Sequence, residues 1–84
     1  MSKLNNYIKQ IDAVDRNIVK LLLLRFKTAR QIAIYKKANK IKIPDKKREL
    51  QVIDNIKSYS DKKHQKFITI IFKNIIKYSK KLQK

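Results

Sequence analysis

The core-facing positions of the first forty residues run at alternating spacings of four and three: Leu4, Ile8, Ile11, Asp15, Ile18, Leu22, Arg25, Ala29, Ile32 and Lys36. That spacing follows one face of an α-helix. Val14, Leu21 and Ala33 flank the line and widen it into a band that reads as a buried face. Glycine is absent and Pro44 is the single proline, whereas a strand-rich fold would need more turn residues. The pattern therefore predicts three helices, from about Leu4 to about Lys40, from about Asp45 to about Ser58, and from about Lys62 to the C-terminus. Asp45, directly after Pro44, is placed to cap the second helix, and Ser60 or Asp61 in the SYSDKK break to cap the third.

A first helix of this length is about 55 Å long at 1.5 Å per residue, more than the width of a compact chain of this size. Its two shorter companions are too short to cover it. The expectation is an all-α fold with one domain over residues 1–84, three helices per chain, paired with a second copy as an intertwined six-helix homodimer.

Three of the ten stripe positions are charged, and a buried charge is costly unless it is paired or meets a ligand. Asp15 suits a structural partner of a basic residue across the dimer. Arg25 and Lys36 lie eleven residues apart, three turns on one face. Either alone would be a snorkelling side chain, but together their heads can converge on a carboxylate or phosphate. On the second helix Glu49 falls in line with Ile53 and Ile56, and Arg48 is its neighbour but not, at one residue's separation, its natural ion-pair partner. On the third helix Phe72, Ile75, Ser79 and Leu82 form the apolar line, with Gln83 one turn beyond Ser79. Taken singly, Ser79 and Gln83 would be surface residues near a frayed end.

Composition narrows the chemistry. Cysteine is absent and His64 is the only histidine, so disulfides, thiol catalysis, His-based triads and the usual zinc sites are not expected; no metal and no cofactor are called for. The net charge of +17 invites a nucleic-acid or anionic-membrane reading. Against it, the cations are mostly lysine, Arg16, Arg25, Arg30 and Arg48 being the only arginines, and they are scattered along the chain as solvated helix faces would be. No apolar run is long enough to span a bilayer and MSKLNNYIKQ lacks a secretory core, so a cytoplasmic protein without membrane or specific nucleic-acid partners is expected.

These positions are the ones at which the sequence resembles the all-helical class of chorismate mutases. IDAVDRNIVKLLLLR, Ile11 to Arg25, is similar to that family's first-helix signature, and Lys36 follows at the family's interval. IPDKKRE, Ile43 to Glu49, resembles its loop-to-second-helix motif, and FKNIIKYSKKLQ, Phe72 to Gln83, its closing Phe…Ile-Ile…Ser…Gln. Each motif alone is weak, but their order spans nearly the whole chain.

The resemblance implies the pericyclic (Claisen) rearrangement of chorismate to prephenate in aromatic amino-acid biosynthesis, with no acid, base, nucleophile or cofactor. It implies that Arg25 holds a substrate carboxylate, Lys36 a carboxylate and the ether oxygen, and Gln83 the same oxygen. Glu49 and the region of Asp45 would grip the ring hydroxyl, with Arg48 and Ser79 completing the pocket. Two departures stand out. Ile8 occupies the position of an arginine that crosses the dimer to a substrate carboxylate, which implies weaker substrate affinity and reduced activity, and Lys40 and Lys42 replace the usual loop glycine and proline. An isochorismate pyruvate-lyase on the same scaffold, a partner-dependent mutase subunit, and a basic helical nucleic-acid-binding module are the competing readings.

Overall fold

A computed structural model describes residues 2–42 and 46–82. Three helices account for most of them: α1, Lys3–Ala38; α2, Lys46–Tyr59; and α3, Gln65–Leu82. No strand occurs among the described residues. The all-α, three-helix expectation therefore holds, while the predicted cap Asp45 lies outside the described residues.

Helix α1 starts at Ser2, whose side chain accepts a hydrogen bond from the Asn5 N–H at 3.1 Å. It ends in a Schellman motif: the Ile41 N–H donates to the Lys36 carbonyl at 2.7 Å and the Lys40 N–H to the Lys37 carbonyl at 3.3 Å. Lys40 takes the left-handed conformation that this motif demands, with φ 57°. A side chain with a Cβ is disfavoured there by about 1 kcal/mol. Lys40→Gly is therefore expected to stabilise the fold by about 0.5–1 kcal/mol, read as a rise of a few degrees in a thermal melt.

Helix α3 begins three residues later than the sequence predicts. Asp61 closes a turn over residues 62–64 first, its Oδ1 accepting from the His64 N–H at 2.9 Å and lying 2.7 Å from the His64 ring. Bonds from the His64 ring and backbone hold the Asp61 carboxyl below the usual carboxylate range. Its contribution to stability is complete above the ordinary range and is lost as the pH falls through the lowered value. Ser60, the other candidate cap, instead donates to the Ile56 carbonyl at the end of α2, and Gln65 Nε2 reaches back to the Lys57 carbonyl. The joint between α2 and α3 is thus closed by side chains on both sides.

Helix α3 is the middle element, packing on α1 and on α2, while α1 and α2 do not meet. The buried side chains are small or few: Ala29 and Ala33 on α1, Ile76 and Ser79 on α3. The α1 face expected to be buried divides in two. From Leu22 onward it closes down in part, and the buried positions are the small residues Ala29 and Ala33, 4% exposed at Ala33, while the neighbouring Ile32 stays 48% exposed. Its first half is uncovered, with Leu4 64%, Ile11 60% and Ile18 48% exposed.

The shape reflects this. The molecule measures 58 × 26 × 16 Å with a radius of gyration of 16.4 Å, against about 12 Å for a compact chain of this length. Its surface is 7568 Å², where a monomer of this mass is expected to expose about 5,300 Å². Exposed large apolar side chains contribute to it on all three helices, and α1 carries more than half of them.

Candidate active site

The site is organised around Ser79, which α3 carries in its last turns and which is 4% exposed. A terminal serine would ordinarily be at the surface. Here its Oγ donates to the Ile75 carbonyl at 2.8 Å and accepts from Arg25 Nη1 at 2.7 Å. One hydroxyl thereby satisfies its own helix and ties the guanidinium of α1 to α3. Arg25 is half-buried, and burial first, then the positive charge of Arg48, lowers its pKa from the ordinary value. The Arg25 guanidinium itself carries no carboxylate among the described residues, so an anionic ligand would meet it directly.

Helix α2 brings Arg48 and Glu49 to this end of the molecule. Arg48 is exposed, with Nη1 3.4 Å from Gln51 Oε1 in its own helix. Glu49 is drawn inward, its side chain 29% exposed, and Oε1 pairs with Lys80 Nζ of α3 at 3.3 Å. The second oxygen, Oε2, is buried without a hydrogen-bond partner among the described residues. A buried carboxylate oxygen in that condition is an acceptor for a donor that a ligand can bring.

Lys36 sits on the same face of α1 as Arg25, half-buried, and its side chain makes no hydrogen bond or ion pair among the described residues. Eleven residues of helix put the two backbone positions about 16 Å apart. The carbonyl of Lys36 also anchors the Schellman turn, so this cation stands where α1 is locked.

Of the residues singled out in the sequence, Arg25 and Ser79 are in direct contact, Arg48 is an electrostatic neighbour of Arg25, and Glu49 faces inward as its spacing predicted. Asp45 and Gln83 lie outside the described residues. Asp15 is exposed on the uncovered half of α1 and makes no ion pair among the described residues. Periodicity does not single out Lys80, which stands one position off the apolar line of α3 among several lysines. The available signal was that it follows the buried Ile76 by four, one turn on the same face.

Beside Glu49, α2 and α3 leave an open cleft of about 350 Å³, lined also by Ile76, Lys73, Lys77, Lys80 and Lys81. No group of three or more metal-ligating side chains occurs among the described residues, and no helix there is long and apolar enough to cross a membrane.

Compared with known proteins, residues 7–84 match the family model described as chorismate mutase type II. Searches of curated proteins and of solved structures each found no match.

Proposed function

Because the chain belongs to the chorismate mutase type II family, we propose that it is an isomerase converting chorismate to prephenate, working as a homodimer in the cytoplasm. The observation that carries the reading is the Arg25–Ser79 contact, which holds a half-buried Arg25 guanidinium that has no carboxylate on it among the described residues. Such a centre suits a ligand that arrives as a dianion.

Chorismate carries two carboxylates, a ring hydroxyl and an ether bridge. In the rearrangement the ether C–O bond breaks as a new C–C bond forms, and negative charge builds on the ether oxygen; no proton moves. The enzyme then has two tasks, to hold the enolpyruvyl arm over the ring and to stabilise that oxygen. Arg25 takes a carboxylate from a position fixed by Ser79. Lys36 takes a carboxylate and the ether oxygen, with Gln83 donating to the same oxygen. Glu49, with its buried acceptor, and the region of Asp45 take the ring hydroxyl, and Arg48 closes the pocket on the charged side.

The homodimer rests on the uncovered half of α1 and on the excess surface, which for a pair of chains amounts to about 4,500 Å², within the range of obligate dimers. Ile8 lies on that half, where an arginine would reach the neighbouring site. Ile8→Arg is accordingly expected to lower KM for chorismate about tenfold, as one added carboxylate contact would. The direct test of the function is loss of chorismate absorbance with the product identified. Prephenate supports the reading. Pyruvate from isochorismate, with chorismate untouched, overturns it.

A further inference from the structure

The geometry points to Lys80 as a further substrate-binding cation, one that takes a carboxylate of chorismate while its ion-pair partner Glu49 takes the ring hydroxyl. This rests on the mutase reading and adds a residue to it. Lys80 Nζ is 3.3 Å from Glu49 Oε1, and both side chains line the cleft between α2 and α3, beside the buried Ile76.

One feature separates Lys80 from the lysines around it, and two more suit it to a ligand. Among the described residues it alone of the cleft lysines is paired with a carboxylate, so its long side chain is already held in one place and loses less freedom when a ligand arrives. Its ammonium has three donors, and Glu49 uses one. Its side chain is 40% exposed, so the head is open to a ligand from the solvent side.

The pair also presents two complementary groups at once. Lys80 offers donors and a positive charge, while Glu49 Oε2 is a buried acceptor without a partner among the described residues. A ligand carrying a hydroxyl and a carboxylate within one small frame satisfies both, and chorismate is such a ligand.

Kinetics of the wild-type protein, Lys80→Met, Lys80→Arg, Glu49→Gln and the Glu49→Gln/Lys80→Met double variant test the assignment, with calorimetric titration of chorismate alongside. Lys80→Met is expected to raise KM about 10- to 100-fold with kcat changed less than about threefold, the effect of losing one charge-assisted contact. Lys80→Arg keeps the charge and is expected to restore most of the affinity. The loss on Lys80→Met should persist in the Glu49→Gln background.

An unchanged KM and binding constant in Lys80→Met overturns the assignment, as does an arginine that restores nothing. So does an effect that vanishes once Glu49 is glutamine, since Lys80 would then act only by positioning Glu49. A wild-type protein that forms no prephenate fails the mutase reading instead, and the chorismate titration still reports on Lys80 separately.

Discussion

Replacing Lys36 by alanine is expected to lower kcat for chorismate by about 10²- to 10³-fold while leaving the thermal melt within a few degrees of wild type. The size of the loss follows from what the ammonium does in the proposed mechanism. It is a donor aimed at the one atom on which charge accumulates, and removing a single preorganised donor of that kind typically costs two to three orders of magnitude.

The preserved fold follows from the local structure. Lys36 makes no ion pair or hydrogen bond through its side chain among the described residues, and the Schellman turn uses only its carbonyl, which alanine also has. Alanine favours helix, which offsets the small loss of a cation near a helix C-terminus. Lys37 is the control. It lies about 100° around the helix and is exposed, so Lys37→Ala should leave kcat unchanged. A Lys36→Ala protein turning over within threefold of wild type would remove Lys36 from the mechanism.

Ile18→Glu is expected to have the largest effect on assembly, yielding chains that sediment as monomers and lose their cooperative melt. Ile18 is 48% exposed in the single chain, on a line of exposed apolar residues with Leu4, Ile11 and Val14. In the proposed dimer that line is covered by the partner. Twofold symmetry then introduces the carboxylate twice, and each costs several kcal/mol without a cation to meet it. That exceeds what a domain of this size can spare. Lys20→Glu, on the opposite face of α1, provides the comparison and should remain dimeric. Sedimentation equilibrium decides the matter: a wild-type monomer, or an Ile18→Glu dimer, would refute the proposed interface.

Much of the architecture was legible because helical periodicity needs no tertiary information. The absence of glycine and a lone proline left few places for the chain to break, and the three observed helices lie within three residues of the predicted ends at every boundary. What was less legible came from contacts between helices. Nothing in the α1 pattern shows that Ala33 is buried and Ile32 exposed, since that depends on where α3 packs. Ser79 looks like a surface serine until Arg25 is seen to reach it, 54 positions away in sequence.

Lys80 was hidden for a different reason. A lysine in a chain with 23 basic residues carries little information, and only the position of Glu49 makes this one distinct. The Schellman turn was hidden likewise, because glycine would have announced a left-handed residue and lysine does not. The charged positions within the α1 stripe were legible, since arginine and lysine in an apolar line violate a strong rule.

The bare first half of α1 also links temperature to concentration. If a helix finds its cover only in a second chain, folding and association become one equilibrium, and the folded state is favoured by mass action. Each tenfold dilution then weakens the folded pair by about 1.4 kcal/mol, so the midpoint of thermal unfolding should climb as the protein is concentrated.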